Sequence, residues 1–126
     1  MQRLLWICLA GALGTAARYF VGLWAARQFS SGFPYGTLIV NLTGCFLIAA
    51  VMNVAAVRAW SETTRLALTV GFLGGFTTYS SFNHETTTLA ASGAAGAASL
   101  NVLLTLVGGF IAGVLGVLVA RALTSN

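Results

Sequence analysis

Between Gly71 and Glu85 the chain sets three glycines, two threonines, two serines, four aromatic rings, an amide, an imidazole and a carboxylate into fifteen residues. The run follows the apolar stretch Leu66-Ala67-Leu68-Thr69-Val70. Glycines and hydroxyls in the middle of an apolar segment predict a broken helix. Such a break frees carbonyl oxygens at the end of one half and amide donors at the start of the next. Carbonyls of this kind, paired across two copies, could hold a small hard cation. The plainer alternative is a glycine-kinked helix whose Ser and Thr hydroxyls bond back to their own turns.

Other polar residues also stand at depth. Asn41, followed by Thr43-Gly44, is a helix–helix contact or a donor. Asn101 and Thr105, at i and i+4, share one helix face and could form a donor track. Arg18 lies close enough to a span end to snorkel, and could draw anions to a pore mouth. Glu85 and His84 flank the break; a proton relay is conceivable, and an acid capping the second half-helix is the commoner explanation. With one histidine, two acids and no Cys-x-x-Cys, a transition-metal centre is not expected. Cys8 and Cys45 sit in apolar segments and read as buried small hydrophobes rather than a disulfide.

The elements that must position these groups are membrane helices. Of 126 residues, 58% are hydrophobic and only 6% charged, with a mean hydropathy of +0.90. A soluble domain carries about a quarter of its residues as charges, so lipid must cover most of this chain. The net charge of +4 comes from six scattered arginines, which form no phosphate-binding patch and exclude a nucleic-acid partner. Anchoring helix ends at headgroups accounts for them.

Hydropathy predicts four spans in a single domain covering residues 1–126: residues 4–26, 37–57, 66–91 and 97–120. Residues 28–36, 58–65 and 92–96 are the turns, with Ser61 as an N-cap and Glu62 suited to the positive helix end. The apolar run resumes after Arg18, so the N-terminal segment reads as a retained span rather than a cleaved leader. As helix, residues 66–76 extend roughly 16 Å, about half the hydrocarbon thickness, which puts the break near the midplane. Arg3, Arg58, Arg65 and Arg121 fall on one side and Arg27 on the other, which favours cytoplasmic termini. Fifteen glycines, among them Gly109-x-x-x-Gly113, predict close helix packing and further association.

Three motifs together carry a resemblance: Gly14-x-x-x-Arg18, then Gly36-Thr37-Leu38-x-x-Asn41-Leu42-x-Gly44, then Gly71-Phe72-x-Gly74-Gly75-Phe76-Thr77-Thr78-Tyr79-Ser80-Ser81-Phe82-x-x-Glu85. Over essentially its full length the chain resembles the Fluc/CrcB fluoride channels. That resemblance implies an antiparallel, dual-topology homodimer in the bacterial inner membrane, with two anion pores at its interface. It implies a structural sodium ion on the carbonyls of Gly74 and Thr77 from both subunits. Asn41 would donate to fluoride, and Tyr79 and Phe82 would form a ring box. Ser80, Ser81, Asn101 and Thr105 would supply polar groups along the path, with Arg18 near the mouth. Such a pore replaces the water of fluoride with donors and positive ring edges.

The chain departs from the family pattern at Tyr79, where phenylalanine is usual, and at Asn83-His84, which replaces a usually small pair. It also carries Gly109 and Gly113 where serine and threonine are common. A divergent paralogue in a heterodimer could supply the missing donors. The expected function is passive fluoride export giving fluoride resistance, with no enzymatic activity. The competing reading is a proton-coupled small-molecule exporter of four-helix, dual-topology type. Such exporters use a carboxylate deep in the first span, where this chain has only Arg18, leaving Glu85 to couple protons. A helix-bundle scaffold, the third reading, would need no polar residues at the break.

Overall fold

The computed structural model describes residues 1–29 and 32–125. Ser30 and Ser31, in the expected first turn, lie outside the described residues. Three helices are long and apolar enough to cross a membrane: α1 (Gln2–Gln28), α2 (Tyr35–Val57) and α6 (Ala95–Thr124). The rest of the chain covers little of their apolar surface; Phe110 is 75% exposed and Leu13 65%. Cys8 also faces outward from α1 and Cys45 is only half-buried, so the expectation that both are buried is corrected for Cys8.

Between α2 and α6 runs an interrupted element. It starts as α3 (Glu62–Leu66), widens into a π-helical turn (Ala67–Leu73), tightens into α4 (Gly74–Phe76), breaks, and resumes as α5 (Tyr79–Ala91). Ser61 caps α3 as expected, its Oγ accepting the Thr64 N–H at 3.1 Å. Glu62 in the first turn pairs with Arg3 at 2.9 Å. In the π turn the Gly74 N–H reaches the Thr69 carbonyl five residues back, and Thr69 Oγ1 donates to the Arg65 carbonyl at 2.8 Å. No expectation from sequence covered this turn.

Close backbone crossings fix how the helices run. A Cβ on Gly14 would collide with the Phe72 carbonyl, and one on Gly75 with the Gly11 carbonyl. With Arg3 beside Glu62, Ile7 against Gly71 and Gly11 against Gly75, numbers ascend in both partners, so α1 runs parallel to the first half of the interrupted element. By the same argument, Leu42 beside Gly108 and Phe46 beside Gly116 make α2 parallel to α6. Arg3, Arg58, Arg65 and Arg121 therefore gather at one end, and Arg27 lies at the other.

The α5–α6 turn closes with Gly93 at φ +84°, the Ala94 N–H reaching Leu89 and the Gly93 N–H reaching Ala90. The α2–α3 turn repeats the five-residue bond, Trp60 N–H to the Ala55 carbonyl at 3.1 Å, but sets Ala59 at φ 47° in the left-handed position.

Candidate functional site

Two extended residues make the break: Thr77 at φ −81°, ψ 158° and Thr78 at φ −152°, ψ 114°. Each diverts a hydrogen bond that a continuous helix would make. The Thr78 N–H, due to the Gly74 carbonyl in an unbroken helix, goes to Asn41 Oδ1 at 2.9 Å. Asn41 Nδ2 in turn donates to the Thr78 carbonyl at 3.0 Å. The Ser81 N–H, due to the Thr77 carbonyl, goes to Thr78 Oγ1 at 3.2 Å, which caps α5. The carbonyls of Gly74 and Thr77 are thus both released from helical bonding. Neutral, hard oxygens of this kind fit an alkali cation, although two per chain are too few to enclose one.

A cleft of about 530 Å³ opens at the break and brings together Asn41, Gly74, Thr77, Tyr79, Phe82 and Thr105. The rings of Tyr79 and Phe82 lie 5.7 Å apart at 52°. Phe82 is buried while Tyr79 is 77% exposed, so one ring is fixed and the other projects from the chain. Thr105 Oγ1 is buried with no hydrogen-bond partner among the described residues.

Arg18 and Ser81 sit apart from that group. They line a second cleft, about 270 Å³, on the other side of Thr78, with Thr15 and Thr37. Glu85 lines a third cleft of about 540 Å³ with Thr37, whose Oγ1 donates to Glu85 Oε1 at 2.7 Å. Glu85 lies in the second turn of α5, and Thr78 is the cap. The capping role expected of the acid is therefore corrected: Glu85 ties α5 to the start of α2 instead.

Ser80 stands on the outer face of α5, 3.2 Å from Thr78 Oγ1. Asn101 lines none of these three clefts. It is 1% exposed and donates to Thr86 Oγ1 at 2.9 Å, and Thr86 donates to the Phe82 carbonyl at 2.7 Å. This relay clamps α6 to the turn of α5 that carries Phe82. Thr37, Thr78 and Thr86 take part through contacts that residue type and spacing do not single out. Thr78 alone carried a local signal, a capping residue three positions before Ser81 at a helix restart.

A family profile described as "CrcB-like protein, Camphor Resistance (CrcB)" matches residues 5–117. The chain belongs to the CrcB family. A relative from Sorangium cellulosum, named "Fluoride-specific ion channel FluC", is 49% identical over 127 residues, with both chains fully covered. Relatives of the same name from Anaeromyxobacter sp. and Citrifermentans bemidjiense are 47% and 45% identical, covering 96% and 98% of this chain and 97% and 100% of their own. Those names describe ion transport rather than enzymatic chemistry. Together with the three apolar helices, family membership makes this a multi-pass membrane protein.

Proposed function

We propose that the chain is one subunit of a fluoride-selective channel that passes the anion passively down its gradient and out of the cytoplasm. The interrupted element serves as a fourth span, broken near the midplane, and two copies pair antiparallel in the inner membrane with a pore on each side of the contact. The name shared by the full-length relatives supports the choice of ion.

The observation that carries the reading is the break itself. Main-chain polar groups at that depth are tolerated only inside protein or beside water. Here Asn41 holds the break open beside a cleft walled by two aromatic rings. Ring edges carry partial positive charge and bind an anion more weakly than amides do, so the ion can leave as well as enter. Asn41 retains one N–H beyond its bonds to Thr78, and Thr105 has its whole hydroxyl to offer. Arg18 and Ser81 act at the cleft beyond Thr78, Ser80 contributes along the path, and Asn101 supports Phe82 from behind.

The carbonyls of Gly74 and Thr77, joined by the same pair from a second copy, would hold a sodium ion. Bound there, the cation supplies a fixed charge that ties the subunits together. The second subunit could be an identical chain or a paralogue.

Liposomes loaded with potassium fluoride test the reading. Purified protein should release fluoride but not chloride when valinomycin is added. Efflux that required a pH gradient would point to a proton-coupled exporter instead.

A further inference from the structure

The cleft of about 540 Å³ beside Glu85 is set apart from the break and is built from different chemistry. Its wall is partly aromatic: the Tyr35 ring lies 4.5 Å from Phe29 and 4.9 Å from Phe33, and all three rings line the cleft. Glu85 is the one acid among the lining residues, and no Lys, Arg or His is among them. Its Oε1 accepts the Thr37 hydroxyl, while Oε2 is buried with no hydrogen-bond partner among the described residues. A buried carboxylate oxygen without a donor is costly, so the chain alone leaves this carboxylate half satisfied. The single ion pair among the described residues joins Arg3 to Glu62, and Glu85 therefore has no cation of its own.

We propose that this cleft binds a primary alkylammonium group, with its N–H donors on the Glu85 carboxylate and its charge against the Phe29, Phe33 and Tyr35 rings. An acceptor-only carboxylate beside aromatic rings selects a cation, because ring faces attract positive charge and repel negative. A metal ion fits less well. Hard divalent cations take about six oxygens, and among the described residues no three His, Cys, Asp or Glu side chains stand together. A quaternary ammonium carries the charge but has no N–H for Oε2. The last torsion of a glutamate is broad and roughly two-fold, so the carboxylate can turn Oε2 toward an entering donor while its other oxygen keeps Thr37.

Gly32, Phe33 and Pro34 belong to the turn between α1 and α2, so the cleft reaches the end of the molecule where Arg27 lies. In a membrane that end meets both water and lipid headgroups, and either a free amine or the headgroup of phosphatidylethanolamine presents the required group. The inference uses the membrane setting and is independent of which ion passes the break.

Calorimetric titration of ethylammonium chloride into protein purified in phospholipid-free detergent tests this. Wild type should bind it saturably, and should bind tetramethylammonium chloride at least about tenfold more weakly. Glu85→Gln keeps an oxygen for Thr37 and removes the charge, and it should weaken ethylammonium binding by at least about tenfold. Tyr35→Leu should weaken it by about threefold to fivefold. Phosphatidylethanolamine added to the micelles separates the two sources: displacement of ethylammonium assigns the site to the lipid headgroup, and undiminished binding assigns it to a free amine. Absence of saturable binding to wild type, equal affinity for the two cations, or full affinity in Glu85→Gln overturns the proposal. Should Glu85→Gln fail to fold, the comparison of the two cations on wild type decides alone.

Discussion

The side-chain amide of Asn41 and the main chain of Thr78 exchange two hydrogen bonds, at 3.0 and 2.9 Å, across 37 residues of sequence. The pairing stands in for the helical bonds that the break removes. It satisfies both polar groups of one extended residue with a single side chain, which is why the helix can break here without stranding them.

Asn41→Ala should therefore cost both stability and transport. It leaves the Thr78 N–H and carbonyl without partners, each worth about 1–3 kcal/mol when buried. Unfolding in mixed micelles should show a loss of about 2–4 kcal/mol, and fluoride efflux should fall to the level of empty liposomes. Wild-type stability in this variant would mean that the pairing does not hold the break.

Asn101 and Thr86 call for a double substitution. Thr86→Val alone strands the Asn101 amide in a site that is 1% exposed and should destabilise by about 1–3 kcal/mol. Adding Asn101→Leu removes the stranded group and should recover most of that loss, because replacing both partners with apolar groups is nearly neutral. If the two losses simply add, the residues are not coupled and the relay to Phe82 is wrong.

The sequence made the break legible because glycines and hydroxyls interrupt an apolar segment, and three of the residues to which the resemblance pointed, Asn41, Phe82 and Thr105, line one cleft at the break. Arginine placement was legible too, since Arg3, Arg58, Arg65 and Arg121 all border turns or termini. Facing directions were not. The i, i+4 spacing puts Asn101 and Thr105 on one face of α6, but nothing in it says that Asn101 bonds Thr86 while Thr105 lines the cleft. The partner of Glu85 was hidden for another reason. Thr37 lies 48 positions away, and only the packing of α5 near the start of α2 brings the two together. The π turn arises where one extra residue is accommodated between two packed segments, and it leaves no mark in residue type.

Ala59 offers a prediction confined to the fold. Its φ of 47° is the left-handed conformation that an L side chain adopts at a cost of about 1–2 kcal/mol, and that glycine adopts freely. The companion turn already has Gly93 there. Allowing for the greater freedom of glycine in the unfolded chain, Ala59→Gly should stabilise by about 0.5–1 kcal/mol. Ala59 is exposed and lies outside all the clefts described, so fluoride efflux should not change. Lower stability in the variant would rule out the left-handed turn.

Thr105→Val separates a structural hydroxyl from a functional one. Oγ1 of Thr105 is buried and makes no hydrogen bond among the described residues, so removing it breaks none of their contacts and relieves an unmet polar group. If the hydroxyl had only a structural role, the variant would be as stable as wild type or more so, and it would transport normally. If it donates to the ion, stability should hold or rise while fluoride efflux drops, by about tenfold for the loss of one hydrogen bond of about 1.4 kcal/mol in the path. Valine keeps the shape of threonine, so the cleft itself stays as wide. Unchanged efflux with unchanged stability would remove Thr105 from the pathway and leave Asn41 and the two rings to carry the anion past the break.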